Sequence, residues 1–301
     1  MQHNHERRPA HAVTDYLRLP TCAPKSGTSM HSSPHAETLL LEGPDAGAFA
    51  HAQFSSKVGA LAIGQWQFSA WLDARGRVRT FFHLARLEQE RYLLLLRGGQ
   101  ATTMADTLQR FVFRSKLSVA AQPRRALTTG KAQPLHAVRQ NDSVLSLGCG
   151  NHSLDIVPLP DSTESCANDA WRQLQLREGW PWLPTSALDA LLPATLSLQR
   201  LHAVAVDKGC YPGQEIVARL HFRGGNKQHL YRVTLSHPMA AGEMLRINGQ
   251  EVGRLLGVLA SEDHIEALAI LSDMQVPQPD TGSEHAFDNH MTLKIETSWP
   301  A

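Results

Sequence analysis

One stretch limits the fold more than any other. Trp66-Gln-Phe-Ser-Ala-Trp-Leu72 alternates large apolar with polar residues, meets Asp73-Ala-Arg-Gly76, and resumes as Val78-Arg-Thr-Phe-Phe-His-Leu84. A period of two puts successive side chains on opposite faces of a strand, and Gly76 supplies the tight position of a turn, so the stretch predicts a hairpin. Tyr92 to Arg97 reads as a third strand and Thr38 to Leu41 as an earlier one that breaks at Gly43-Pro44-Asp45. Pro44 suits a first helical turn and Asp45 the positive end of the dipole. Phe49, Ala50 and Phe54 then recur at helical spacing, which predicts a helix to about Ser55. Met104, Leu108, Phe111 and Val112 fall on one helical face, and Leu117 to Ala120 reads as a strand. The order helix, three strands, helix, strand points to an α+β fold with an antiparallel sheet.

Gln122 to Asn141 is basic and poor in large side chains, hence a connection or an irregular strand pair; its Arg124, Arg125, Lys131 and Arg139 read as a solvated face in preference to an anion-binding one. Val144 to Leu147 and Leu154 to Val157 are short strands around Gly148-Cys149-Gly150-Asn151, with Cys149 filling the corner. Asp161-Ser-Thr-Glu164 has the pattern of a capping box before Ala170, Trp171, Leu174 and Leu176, and that helix should stop at Gly179. Leu188 to Leu198 is apolar but broken by Pro193, and Leu201 to Val206 reads as a strand leading to Lys208. A helix is predicted from Gln214 to Phe222, followed by the sharp basic break Arg223-Gly-Gly-Asn-Lys227. From about His229 onward the chain is a series of short strands separated by turn residues. Asn248-Gly249 is a strong hairpin signal there, and the series predicts a small antiparallel β-barrel.

With 301 residues, 42% of them hydrophobic, the chain can bury two or three compact units. Lys and Arg number 29 against 28 Asp and Glu, so no overall field draws in polyanions, and a nucleic-acid role would need a local patch. Cys22, Cys149, Cys166 and Cys210 lack the paired spacing of a zinc site or a disulfide scaffold, and Cys166 reads as a buried helix filler. No permanently bound metal is expected. The longest apolar run, Tyr92 to Leu96, is far shorter than the roughly 20 residues of a membrane helix. No signal-peptide core opens the chain, so a soluble, cytoplasmic protein is expected. Residues 1–35 hold His3, His5, His11, His31 and His35 at irregular spacing with little apolar periodicity, which reads as a disordered polar tail.

The densest chemistry lies in Asp207-Lys208-Gly209-Cys210-Tyr211-Pro212-Gly213-Gln214-Glu215. If Pro212 and Gly213 open the helix, Cys210 stands just before its N-terminus, where backbone N–H groups and the dipole favour an anion; Lys208 adds a positive charge, and both lower a thiol pKa. Glu215 suits the first turn, and Gln214 can both donate and accept, as a side chain reading a heterocycle must. Arg219, Arg223, Lys227 and Arg232 cluster downstream, a patch suited to a carboxylate or phosphate ligand but poor in the aromatic residues of a nucleic-acid surface. Two readings stay open on these residues alone: a functional thiol at Cys210, or a strand-to-helix turn that uses Gly209 and Gly213 for backbone reasons around an inert cysteine.

Lys208-Gly-Cys-Tyr-Pro-Gly-Gln-Glu-Ile-Val-Ala-Arg219 followed by Arg223-Gly-Gly-Asn-Lys227 closely resembles the signature of the YgfZ family, folate-binding relatives of the glycine-cleavage T-protein that support iron–sulfur enzymes. Gly43-Pro-Asp-Ala46 with Phe49 and Gln53, Leu72-Asp-Ala-Arg-Gly-Arg-Val78, Trp171 through Pro181, and Leu271-Ser-Asp-Met274 resemble further segments of that family. The sequence departs from its pattern at Lys57, where an acidic residue is usual, at Gln175, where an arginine is usual, and around Pro193-Ala194 and Ser197-Leu198.

The resemblance implies a T-protein-like folate-binding domain over 36–228, in two subdomains dividing near 122–141, and a C-terminal barrel over 229–301. It implies a tetrahydrofolate-type ligand in a central cavity, with Gly209, Tyr211, Gly213, Gln214, Glu215, Arg219, Arg223 and Lys227 as binding residues. It further implies Cys210, with Lys208, as the thiol needed to maintain iron–sulfur proteins, including enzymes that modify tRNA, either as a nucleophile or as a transient cluster ligand. Partners would then be a folate and iron–sulfur client or assembly proteins, with no direct nucleic-acid binding and no membrane. A folate-dependent aminomethyltransferase or demethylase, and a scaffold without folate, are the competing readings.

Overall fold

The computed structural model describes residues 35–159, 170–261, 264–274, 281–288 and 290–299. The expected disordered tail up to residue 34, the capping box at Asp161-Glu164, and Cys22 and Cys166 lie outside them, while His35, expected in that tail, opens a strand paired with Ala126. The chain runs through β1 (His35–Ala36), β2 (Thr38–Glu42), α1 (Ala46–Gln53), β3 (Gln65–Leu72), β4 (Val78–Glu88), β5 (Arg91–Leu96), α2 (Ala101–Val112) and β6 (Ser118–Ala121). The predicted hairpin is β3–β4, antiparallel with Phe68 opposite His83 and Ala70 opposite Phe81. Its turn is held by the Asp73 carboxylate, which accepts from the Arg75 and Arg77 amides at 2.9 and 2.8 Å, while Gly76 takes φ +75°. The sheet order is β3-β4-β5-β2-β6.

Both faces of this sheet are buried. Leu94 and Leu96 of β5 join Phe49 and Phe54 and, from α2, Met104 and Leu108 in one core; Leu93 and Leu95 turn to a second, shared core. That explains the unbroken apolar run from Tyr92 to Leu96: a strand covered on both sides has no polar face to display. The shared core is closed by a second sheet, in which β7 (Arg125–Gly130), β8 (Val138–Asn141), β9 (Val144–Gly148) and β10 (Ser153–Val157) pair with β1 in the order β1-β7-β10-β9-β8. Leu127, Leu145, Leu147, Leu154 and Ile156 face inward from it. The basic stretch Gln122 to Asn141 thus holds two strands that pair with others rather than with each other.

After α3 (Ala170–Arg177) the chain turns at Gly179, φ +66°, as expected. Leu201 to Val206 is not a strand. His202 adopts φ +52°, the Ala203 amide bonds back to Leu198 O, and the Ala205 amide goes to Ser55 O, so no ladder runs along the segment. The apolar residues that resemble a strand serve packing: Ala203 is buried in the shared core, and Leu201, Val204 and Val206 lie against it.

Beyond α4 (Gln214–Arg223) come β11 (Gln228–Leu235), β12 (Met244–Ile247), β13 (Gln250–Ala260), β14 (Ile265–Ser272), β15 (Glu284–Ala286) and β16 (Thr292–Trp299), in the sheet order β12-β13-β14-β11-β16-β15. Asn248 and Gly249 take φ +52° and +76°, as a two-residue turn joining β12 to β13 requires. Asp288, just past β15, accepts from both turn amides and donates its own N–H to Arg246 O of β12, which brings the two edges together into a nearly closed barrel. Along β11, Tyr231, Val233 and Leu235 fill the barrel while Leu230 faces the shared core.

The end of β16 locks onto the middle of the chain. Ser197 Oγ donates to Trp299 O, the Arg200 guanidinium sits 5.2 Å from the Trp299 ring, and a Cβ at Gly179 would stand 2.7 Å from that indole.

Candidate functional site

The segment from Ala203 to Gly213 has no regular secondary structure, so its shape is set by individual bonds. Ser55, wholly buried behind α1, donates to Ala203 O at 2.7 Å and accepts at its carbonyl from the Ala205 amide. Tyr211 OH donates to Ala205 O at 2.9 Å, and Gln214 Nε2 donates to Lys208 O at 3.0 Å. Gly213 caps α4 in the left-handed region, φ +78°, pressed so closely on the hairpin turn that a Cβ would lie 2.5 Å from Asp73 O. Cys210 is exposed on this fixed loop, and its neighbour Tyr211 inserts into the shared core.

Lys208 faces inward. Its ammonium donates to His51 O, Phe54 O and Ser56 O at 2.5, 2.6 and 2.9 Å, which uses all three N–H groups on the carbonyls at the end of α1, and it lies 5.0 Å from the Tyr211 ring. Burial pulls its pKa down to about 8, while the three carbonyl oxygens favour the charged form. Burial, followed by the Lys208 charge, also lowers the pKa of His51, whose Nδ1 is buried without a partner among the described residues. Lys57, at the first departure from the family pattern, pairs with Asp207 at 2.5 Å, and that hydrogen bond holds the Asp207 carboxyl below its ordinary pKa.

A second feature lies in the shared core. Arg97, at the end of β5, is wholly buried; it donates to Gln175 Oε1 at 2.7 Å, Pro181 O at 2.9 Å and Trp180 O at 2.6 Å. Its guanidinium lies 4.6 Å from the Trp182 ring, and burial pulls its pKa down to about 9. Gln175, the second departure, therefore acts from α3 as acceptor for a cation supplied from the end of β5. His83, also wholly buried, approaches Arg97 at 3.4 Å and stacks edge-on to Trp66; burial, then the Arg97 and His136 charges, keep its pKa well below 6.5. His83 Nδ1, Gln175 Nε2 and Trp171 Nε1 are buried polar atoms without a hydrogen-bond partner among the described residues.

The structure thus brings Lys208, Tyr211, Gln214 and Gly213 into one interlocked turn beside Cys210, with Glu215 in the first turn of α4. Gly209 has open space where a Cβ would stand, so no steric requirement for glycine operates there. Arg219, Arg223 and Lys227 stand exposed along and beyond α4, apart from this interlock. His51, Ser55, His83 and Arg97 are additions that the sequence reading did not single out. Only Arg97 carries a local signal: a charge closing a strand that is apolar on both faces.

No protein-family model matches the chain. It is similar to an uncharacterized protein of Haemophilus influenzae, 25% identical over 267 aligned positions covering 83% of this chain and 89% of that one. It is also similar to proteins named tRNA-modifying protein YgfZ. That of Sodalis glossinidius is 28% identical over 261 aligned positions, covering 75% of this chain and 79% of that one. That of Escherichia coli is 22% identical over 313 aligned positions, 93% and 95%. Among solved structures, the glycine cleavage system aminomethyltransferase T from Bartonella henselae superimposes with a TM-score of 0.63 at 17% identity, covering 87% of this chain and 82% of that one. The fold is therefore T-protein-like, and the resemblance to YgfZ proteins extends over most of the chain.

Proposed function

We propose that this protein binds a tetrahydrofolate-type ligand and acts as an accessory factor for the assembly or repair of iron–sulfur clusters, indirectly supporting tRNA-modifying enzymes, with Cys210 as its functional thiol. The observation that carries this reading is the exposed Cys210 on a loop immobilised by Lys208, Ser55 and Gln214, its neighbour Tyr211 rooted in the shared core. Likeness to YgfZ proteins over three quarters or more of the chain supports it. The residue types of the core suit a folate: Trp66, Phe68 and Trp180 pack ring against ring, as do Trp171 and Trp182, and the polar atoms of His83, Gln175 and Trp171 that lack a partner among the described residues match the donors and acceptors of a heterocycle edge. When bound, a reduced folate supplies a one-carbon carrier. The chain's own residues orient it and hold a thiol in reach of solvent, where the cluster of a client protein is the substrate. Lys208 fixes the loop, Tyr211 and Gln214 set its shape, and Arg219, Arg223 and Lys227 offer charge to an anionic tail.

Cys210→Ala should abolish rescue of a strain lacking the native factor while leaving the unfolding curve unchanged; full rescue removes the thiol role. Anaerobic calorimetric titration with tetrahydrofolate should give saturable heat, and its absence would favour a scaffold. The likeness to an aminomethyltransferase supports a second reading, a folate-dependent aminomethyl transferase or demethylase. One-carbon transfer from an aminomethyl donor by the purified protein would establish it in place of the first.

A further inference from the structure

We infer that the cleft between the first and second sheets, at the end of β5 remote from Arg97, binds a small aliphatic carboxylate, with Arg125 holding its charge. The inference goes beyond the folate reading and does not rest on it.

A cleft of about 440 Å³ opens between the two sheets, within the size range of small-molecule sites. Leu40, Leu87 and Leu93 wall it from the first sheet, and Val144, Leu145 and Ile156 from the second. Strand alternation places them there. Leu39 and Leu41 belong to the core beneath α1 and α2, which turns Leu40 to the opposite face, where Leu93 stands across from it.

Two arginines enter the same cleft from inward faces. Arg91 shares its face of β5 with Leu93 and Leu95. Arg125 precedes Leu127 of β7 by two residues and stands opposite Ala36, and both of these neighbours belong to the shared core. Their surroundings differ. Arg91 is met by Glu88 at 3.3 Å and Glu42 at 3.9 Å, and Arg124, on the exposed rim, by Glu37 at 3.3 Å. Arg125 is partly buried and in no ion pair among the described residues; Asp142, the one carboxylate in the described lining, stays beyond ion-pair reach of it. A guanidinium turned from water toward apolar walls is costly without an anion, and an incoming carboxylate answers it with two parallel hydrogen bonds.

The walls select the rest of the ligand. No aromatic ring is among the described lining residues, whereas the shared core sets Trp66, Phe68 and Trp180 ring against ring. Branched aliphatic side chains on both sides suit an alkyl chain, where a flat heterocycle calls for stacking partners. The two places are also far apart. Arg91 opens β5 and Arg97 follows its end, so roughly 20 Å of strand separates the cleft from the buried arginine of the core.

The test is calorimetric titration of the whole protein with butyrate, hexanoate, octanoate and octan-1-ol, with carbon-13 methyl spectra of its Leu, Val and Ile residues to locate the ligand. Affinity for the carboxylates should rise about two- to fourfold with each added methylene. Octanoate should bind about tenfold more tightly than octan-1-ol, and in R125Q, shown folded by circular dichroism, that preference should fall below about threefold. Shifts should fall on the methyls of Leu40, Leu93 and Val144, and saturating tetrahydrofolate should leave octanoate binding unchanged. Equal affinity for octanoate and octan-1-ol overturns the anion site, and a preference kept in full by R125Q overturns the role of Arg125. Affinity independent of chain length overturns the aliphatic ligand. Displacement by tetrahydrofolate, or shifts confined to the shared core, overturns the location. Absence of saturable heat with octanoate overturns the whole inference and leaves the folate reading standing. The alcohol comparison and the methyl shifts decide without any variant.

Discussion

Lys208 shows how a side chain read for its charge is fixed by its hydrogen bonds. Its sequence position, two residues before Cys210, points to a cation acting on the thiol; the structure sends the ammonium to three carbonyl oxygens at the end of α1, where it ties the signature loop to the first sheet's helical cover. Replacing it with Met leaves those acceptors without their charged donor. K208M should lose about 2 kcal/mol or more of stability in urea titration, since hydrogen bonds to a charged group are worth roughly 1.5–3 kcal/mol net. It should also loosen Cys210, read as a faster alkylation rate. The residues of the turn are legible in sequence because their chemistry is concentrated in one run. Ser55, His51, His83 and Arg97 are not, because each acts through partners brought near only by the fold: Ser55 Oγ reaches Ala203 across 148 positions, and Arg97 reaches Pro181 across 84.

At the level of elements, the turn residues are decisive. Gly76 and Gly213 lie in two positive-φ turns packed back to back, with the Gly76 Cβ position 3.0 Å from Ile216 Cβ and that of Gly213 2.7 Å from Gly76 Cα. The start of α4 is thereby seated on the β3–β4 hairpin. Gly213→Ala adds a strained φ and a backbone clash, and should cost well over about 1 kcal/mol in thermal unfolding. A variant with unchanged stability would show that the seat is not tight. The hairpin, the double-faced strand β5 and the β12–β13 turn are legible because period and turn chemistry agree. β15 offers only Glu-His-Ala with no alternation, and Leu201 to Val206 imitates a strand because packing alone selected its apolar residues.

Across the whole molecule, burial of histidines links stability to pH. His83 is held well below 6.5 by burial and by the Arg97 and His136 charges, and His51, His136 and His152 are lowered chiefly by burial. These bases are neutral in the folded chain but take up protons when unfolded, so the unfolded state binds more protons below about 6.5, the value for an unperturbed histidine. The histidine contribution should therefore be flat above that pH and fall beneath it, by at most ~1.4 kcal/mol per unit for each histidine. Urea midpoints measured from about pH 7.5 to 5.5 check this, and His83→Gln should shallow the slope.

The hold of Trp299 on Gly179 and Ser197 also sets an order of events in the cell. The Ser197 hydroxyl waits for a carbonyl 102 positions downstream, so the middle of the chain leaves the ribosome with an open socket where the indole belongs. At usual synthesis rates that socket stays empty for roughly 5 to 20 s, during which local structure forms but the core cannot close. Closure of the shared core consequently waits for β16, and the nascent chain's dependence on chaperones should be greatest in the interval before β16 emerges.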